Sequence, residues 1–227
     1  MDDFERIERR RFVGRELLLW LWFESEVFEA TLETRAHGSF GLWLEGRLVL
    51  SAGPEVTSIK GTQPGHHREA KEALRRGKLP DLASIHLAWA DHDATLTLKA
   101  ETLAIAGLKL PKMESGGPPG DVPGAVASLT RVDGKVARPR PKKQAAAAAD
   151  AAAFASDEAH EDFYARMTLT REIEGIVEAL YLDFLALRLS AAWDAVVAPA
   201  LAAWVAGEDV DAGAYAKARS RTVARRS

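Results

Sequence analysis

Cysteine is absent from the 227-residue chain, which excludes disulfide bonds, a thiol nucleophile and a thiolate zinc site. Long apolar runs are absent as well, since the longest strongly apolar run, residues 17–23, is far shorter than the ~20 residues that span a bilayer. The first residues mix acidic and basic side chains and lack the order of a signal peptide. The sequence therefore predicts a cytoplasmic protein.

A strong excess of charge of one sign is also missing. The chain has 30 basic and 33 acidic residues, a net charge of -3, which excludes a uniformly basic nucleic-acid binder. Residues 157–212 contain three basic and twelve acidic residues, whereas residues 213–227 contain five basic residues and no acidic one. Residues 113–156 contain six basic and four acidic residues. Basic segments on either side of an acidic helix are suited either to binding a polyanion or to covering that helix.

The periodicity of apolar residues predicts an α+β fold for residues 1–112. Residues 12–29 have helical spacing and predict a largely buried helix. From Ser39 the period changes to two, and the turn signals at Gly46 and Gly53 divide the pattern into three short antiparallel strands. A short crossing helix then ends near Gly77, and a hairpin of residues 84–100 follows around a polar tip.

The second half of the chain has a different composition. Residues 113–156 contain glycine, proline, basic residues and an alanine tract, which predict a low-complexity flexible linker. Residues 157–206 return to helical spacing and predict a helical segment. Residues 207–227 predict a basic flexible tail.

Motifs for catalysis and cofactor binding are missing. His66, His67, His86 and the tip of residues 91–93 lack a trustworthy ligand spacing, so no metal site is predicted. The glycine-rich residues 116–124 lack the Lys-Ser/Thr of a phosphate loop, and their prolines remove backbone donors. We therefore expect no enzyme, no catalytic residue and no cofactor. A metal-dependent nuclease that uses Asp91 and Asp93 is the enzymatic alternative.

Other polar and aromatic residues have a simple structural interpretation. Glu24, Glu26 and Glu29 are predicted to form the solvated end of the first helix rather than a metal site. The tryptophans at 20, 22, 43 and 89 are predicted to be core residues rather than base-stacking platforms. His86 alternates with apolar neighbours and is predicted to face solvent.

The basic residues are the remaining candidates for function. Singly each is a solubilising charge, but together they would supply the sequence-independent phosphate contacts of a DNA-binding protein. The candidates are Lys60, Arg68, Lys71, Arg75, Arg76, Lys78, Arg138, Arg140, Lys142 and Lys143, with further arginines in the tail.

Three stretches of the chain together resemble the bacterial recombination-associated protein RdgC family. They are FVGRELLLWLWFESE, the run from EVTSIKG to LKLPK, and RMTLTREIEGIVEALYLDFLALRLSAAW. The resemblance implies a non-enzymatic, ring-shaped homodimer that surrounds duplex DNA with little sequence preference and restrains the RecA recombinase.

The resemblance also implies particular residues. Lys60 and Gln63 match the basic and amide residues that the family places before the short helix, whereas Gly61 and Thr62 do not supply a neighbouring lysine. The family's N-terminal portion is expected to be missing before Gly14.

The predicted function is thus nonspecific binding of double-stranded DNA by a nucleoid-associated homodimer that occludes DNA from RecA. The alternative is a protein interaction module that docks through the acidic C-terminal helix without binding DNA.

Overall fold

The computed structural model describes the backbone of residues 3–111 and 142–224, and the side chains of residues 13–111 and 163–224. Its helices are α1 (Asp3–Val27), α2 (Arg68–Arg75), α3 (Lys142–Arg188), α4 (Ala198–Ala206) and α5 (Ala212–Ala224). Its strands are β1 (Thr31–Thr34), β2 (Gly38–Ala52), β3 (Glu55–Gly61), β4 (Leu79–Trp89), β5 (His92–Lys99) and β6 (Ile105–Lys109). A 3-10 turn covers Pro64–His66 and a π-helical turn covers Trp193–Val197.

The six strands form one antiparallel sheet. Its order is β1-β2-β4-β5-β6, and β3 pairs with the second half of β2. The predicted α+β class, the first helix, the crossing helix and the β4–β5 hairpin are confirmed. The short helix α2 connects β3 to β4, and Gly77 follows it with a φ of 81°, a left-handed conformation that glycine adopts at little cost.

The prediction of separate strands on either side of Gly46 was wrong. Both belong to β2, a single strand of 15 residues. Between Leu44 and Leu48 this strand advances four residues while β4 advances only two, from Ile85 to Ala83. The extra residues form a bulge, with Gly46 at a φ of 92°, so glycine marks an irregularity within the strand rather than its end.

One face of the sheet packs against helices. Alternate residues of β2, β4 and β5, among them Leu42, Ile85 and Leu96, are buried there. The helical contribution comes from α1 and from the apolar stripe of α3, where Ile173 and Phe184 have no exposed surface. The core therefore combines residues from both ends of the chain.

The predicted division of the C-terminal half needs correction. The chain forms two compact units, one of residues 1–111 with 171–227 and one of residues 112–170. Most of the predicted helical segment of residues 157–206 therefore belongs to the same unit as the sheet. The predicted flexible tail of residues 207–227 contains α5, whose Tyr215 is fully buried and meets the Phe23 ring edge-on at 5.0 Å.

The predicted linker of residues 113–156 lies largely outside the described residues. Only its alanine-rich end, from Lys142 onward, has a described backbone, and that backbone belongs to α3. In the described part of the chain, no single helix is long and apolar enough to cross a membrane, although the bent pair of residues 163–188 and 193–206 meets that test jointly by length and composition.

Candidate nucleic-acid interface

Two exposed cations face each other on the β2–β3 ribbon. Arg47 lies directly opposite Lys60 in the antiparallel register, next to the buried pair Leu48 and Ile59. Since neighbouring residues point to opposite faces of a strand, both cations project from the uncovered face. The Arg47 Nε donates a 3.3 Å hydrogen bond to the Ser58 hydroxyl.

Within residues 13–111 and 163–224, neither Arg47 nor Lys60 forms an ion pair with a carboxylate. Like charges directly opposite each other destabilise a sheet. An anion that bridges the two side chains would remove this repulsion, so the ribbon is suited to a phosphate group.

The loop after β3 brings Gln63 next to this ribbon. The Gln63 side chain is exposed and lines a cleft of about 420 Å³ together with Trp22, Trp43 and His66. A Cβ atom at Gly65 would lie 2.3 Å from the Trp22 Nε1. The loop can therefore pack against α1 only because residue 65 has no side chain.

The exposed face of α2 carries two further candidates. Arg68 and Arg76 are exposed and lie two helical turns apart. The Arg68 Nε is 2.7 Å from the Glu72 carboxylate, and the Arg68 side chain remains 91% exposed. Such a surface pair contributes little to stability, so Arg68 can exchange it for a phosphate.

Besides Arg68, three of the predicted DNA-binding cations have partners within the protein, namely Lys71, Lys78 and Arg75. The Lys71 Nζ lies 2.6 Å from Glu26, and burial lowers the pKa of this lysine. The Lys78 Nζ lies 3.2 Å from a Glu55 oxygen and donates to the Thr57 hydroxyl at 3.1 Å.

Arg75 is committed to the end of α4. Its guanidinium donates to the carbonyl oxygens of Val205 and Ala206, at 3.0 and 3.1 Å. A cation at these carbonyls also complements the helix dipole. Lys71, Arg75 and Lys78 therefore bond to α1, α4 and β3 respectively, a role that has no local signal in the sequence.

The remaining four basic candidates lie where side chains are not described. Arg138 and Arg140 lie outside the described residues. Lys142 and Lys143 belong to the first turn of α3, where only the backbone is described.

The predicted solvated end of α1 was wrong for two of its three carboxylates. Glu24 has no exposed surface, accepts a hydrogen bond from the Tyr215 hydroxyl and lies 3.1 Å from the Arg219 Nε. Burial raises the pKa of Glu24 from 4.5 to about 7, against the opposing effect of Arg219. The helix α5 covers this end of α1, which the local sequence does not show.

Glu26 is the second carboxylate that is not solvated, since only 17% of its side chain is exposed. It accepts hydrogen bonds from the indole nitrogens of Trp22 and Trp204, at 2.6 and 2.8 Å, and from Lys71 at 2.6 Å. The Lys71 Nζ also lies 3.4 Å from the ring centroid of Trp204, within range of a cation–π interaction. Glu26 therefore joins α1, α2 and α4.

The prediction for the tryptophans was only partly right. Trp20 and Trp22 are buried, but Trp43 lies on the opposite face of the sheet, half-buried and stacked on His86 with ring centroids 4.2 Å apart. Trp89 is half-buried against the core and donates to Glu172 at 3.2 Å. The prediction that His86 faces solvent needs a similar correction, because the indole of Trp43 leaves its side chain only 16% exposed.

Carboxylates also flank His86. Its Nδ1 lies 2.9 Å from Glu45 and its Nε2 lies 3.5 Å from Asp93. Where side chains are described, no group of three or more His, Asp or Glu residues is arranged to hold a metal ion. The nuclease hypothesis with Asp91 and Asp93 therefore gains no support from the geometry.

Comparisons with protein-family models, with curated proteins and with solved structures gave no match. The resemblance to the RdgC family thus stays a prediction that depends on the sequence segments quoted above.

Sequence reasoning missed Arg47. Its importance depends on its register with Lys60, which the sequence analysis did not work out. An antiparallel alignment of residues 46–52 with residues 55–61 through the Gly53-Pro54 turn signal would have revealed it.

Proposed function

We propose that this protein binds double-stranded DNA without sequence preference, through phosphate contacts from the β2–β3 ribbon, the loop after β3 and the exposed face of α2. The observation that carries the proposal is the opposed pair of Arg47 and Lys60, neither of which forms an ion pair with a described carboxylate. Gln63, Arg68 and Arg76 follow Lys60 along the chain, and all three are exposed.

Local charge supports this proposal despite the net charge of -3. Residues 58–78 contain six basic and two acidic residues. Three of the basic residues are used internally, which leaves Lys60, Arg68 and Arg76 exposed, and Arg47 on β2 lies opposite Lys60. Phosphate contacts of this kind release counterions and position a protein on DNA, but they do not read bases.

The resemblance to the RdgC family supports a more specific role. In this role the protein acts as a nucleoid-associated homodimer, and its occupation of the duplex keeps RecA from using that DNA. The core tryptophans and the long helix α3 supply only the scaffold in this proposal. No catalytic step, metal or cofactor is required.

The test is fluorescence anisotropy with two labelled duplexes of unrelated sequence and the matched single strands, over a range of salt concentrations. We expect similar, salt-sensitive binding of both duplexes. The double variant Arg47→Ala/Lys60→Ala should weaken both equally and reduce the slope of log K against log salt by about two, since each phosphate contact contributes about 0.9.

A matched control is Lys99→Ala/Lys109→Ala, which removes two exposed positive charges from β5 and β6. We expect the slope of log K against log salt for this variant to be nearly that of the wild type. Equal losses in the two variants would show a diffuse charge effect and contradict the proposed surface, and a lack of binding at low salt would overturn the proposed function.

Occlusion of RecA is tested separately. The full chain should inhibit DNA-dependent ATP hydrolysis by RecA on a duplex template, and Arg47→Ala/Lys60→Ala should inhibit it much less. Equal inhibition by the two proteins would mean that any antagonism does not depend on this DNA-binding surface.

The alternative function, protein binding through the acidic C-terminal helix, is favoured by one observation. The apolar stripe of α3 is used in the core, so the exposed residues Glu174 and Glu178 face outward beside an apolar groove. Deletion of α3 would remove core residues, so point substitutions at this groove are the appropriate test.

A further inference from the structure

An open groove of about 790 Å³ lies between α1, the β5–β6 turn and α3 in the sheet-containing unit. Its apolar lining includes Val13, Leu17, Leu98, Ile105 and Val177. This volume lies within the ~300–1,000 Å³ range of pockets that bind small molecules or peptide side chains. The groove is large enough to take an apolar anchor residue.

Three carboxylates form the rim of this groove. Glu101 is contributed by the β5–β6 turn, and Glu174 and Glu178 are contributed by successive turns of α3. All three are exposed, and none forms an ion pair with another described side chain. Glutamates four residues apart on a helix repel each other slightly, so a positively charged partner would relieve this repulsion.

Leu103 forms part of the wall under unusual backbone constraint. Its φ is 53°, a left-handed conformation that a leucine rarely adopts, and its amide donates to the Lys99 carbonyl oxygen at 2.8 Å. The turn thereby keeps the half-buried Leu103 side chain in the lining of the groove. Its position is set by the backbone as well as by packing.

We propose that this groove binds a short peptide segment of a protein partner in which an apolar anchor residue is flanked by arginine or lysine. The anchor enters the apolar groove, and the flanking cations pair with Glu101, Glu174 and Glu178. Arginine fits these carboxylates best, because its guanidinium forms bidentate hydrogen bonds. The negative rim repels a polyanion, so this site is distinct from the proposed DNA-binding surface.

The probe for this site is a short fluorescein-labelled peptide of alternating arginine and leucine, with binding followed by anisotropy on the full chain. Two control peptides replace either every arginine by glutamate or every leucine by serine. We expect binding of the arginine–leucine peptide only. Equal binding of the arginine–serine peptide would overturn the proposal, because no anchor would then be needed.

Variants locate the binding site. Glu174→Gln/Glu178→Gln should lower the affinity for the peptide at least about tenfold, the equivalent of about 1.4 kcal/mol. The control Glu208→Gln/Asp209→Asn removes two exposed charges from the loop after α4 and should change affinity less than about twofold. Equal losses would mean general electrostatic attraction and would contradict the proposed site.

Val177→Thr tests the apolar lining independently, since it keeps the shape of the side chain but adds a hydroxyl group. This variant should also lower the affinity for the peptide. Unchanged affinity would contradict binding in the groove. Sedimentation tests whether a second copy of the chain fills the groove instead. If the protein is a dimer, if Glu174→Gln/Glu178→Gln dissociates this dimer, and if the dimer does not bind the peptide, then the groove is an interface between copies and the proposal is wrong. None of these results depends on DNA binding, which Arg47→Ala/Lys60→Ala tests separately.

Discussion

The hydroxyl group of Tyr215 donates a hydrogen bond to the carboxyl group of Glu24, which lies 191 residues earlier in the chain. The same hydroxyl oxygen accepts a 2.8 Å hydrogen bond from the indole of Trp20, and Arg219 approaches Glu24 from the next turn of α5. This buried polar cluster attaches α5 to α1. Because Glu24 is a titratable group, the attachment depends on pH.

We expect stability to fall between about pH 4.5 and 7 because of Glu24. Its pKa is 4.5 when unfolded and about 7 in the folded protein, so over this range the folded state holds a proton that the unfolded state has released. Raising the pH therefore favours unfolding, by an amount on the order of 3 kcal/mol in total. Glu24→Gln cannot titrate and should lack this decline.

Urea unfolding of the wild type and Glu24→Gln at several pH values measures the effect. The difference in free energy of unfolding between the two proteins should change across this range and then level off above about pH 7. A difference that is constant with pH would contradict the raised pKa of Glu24.

Tyr215→Phe should destabilise the protein by about 1–3 kcal/mol. The ring contacts with Phe23 and Phe28 are kept, but the Trp20 indole and Glu24 lose a partner in a buried environment, where an unsatisfied polar group is costly. Thermal unfolding followed by circular dichroism measures the loss. A melting temperature equal to that of the wild type would show that these hydrogen bonds contribute no net stability.

Gly14→Ala should be strongly destabilising, by several kcal/mol, although alanine favours helices. A Cβ atom at this position would lie 1.9 Å from the backbone carbonyl oxygen of Ala100, so α1 and the end of β5 must separate. Gly213→Ala in α5 is the control, since its Cβ would have no contact closer than 3.4 Å. Chemical unfolding should show a large loss for the first variant and little change or a slight gain for the second, and similar effects in both would contradict the close approach.

Lys71→Met should lower the free energy of unfolding by about 1–3 kcal/mol. Glu26 would stay largely buried, but among the described residues the nearest remaining basic group would be His66, at 3.9 Å. Arg68→Met removes a cation from an exposed pair on the same helix and should change stability by less than about 1 kcal/mol. Urea unfolding of both variants provides the comparison. Equal losses in free energy of unfolding would show that the partly buried ion pair of Lys71 and Glu26 contributes no more stability than the exposed pair of Arg68.

Adding Glu26→Gln to Lys71→Met should recover part of the lost stability, because the remaining buried group is then neutral. A further loss in the double variant would indicate that the hydrogen bonds of Glu26 to Trp22 and Trp204 need a charged acceptor.

Local patterns in the sequence predicted the elements whose partners are near in the chain. The helical spacing before Phe28 predicted α1, the stop signal at Gly77 predicted the end of α2, and the alternation around Asp91 predicted the β4–β5 hairpin. Gly46 misled the prediction because a glycine in a strand pattern marks either a turn or a bulge. Only the pairing of β2 with β4 and β3 distinguishes these outcomes.

The sequence by itself determined the α+β composition, the apolar periods of its helices and strands, and the cluster of basic residues around α2. The tertiary structure decided which of these cations remain available and which carboxylates are buried, because α4 and α5 fold back over α1 and α2 from the far end of the chain. Lys71 and Arg75 look like surface cations in sequence, yet Lys71 pairs with Glu26 on α1 and Arg75 donates to the end of α4. A side chain's charge is a property of the sequence, whereas its exposure and pKa depend on contacts that only the folded chain creates.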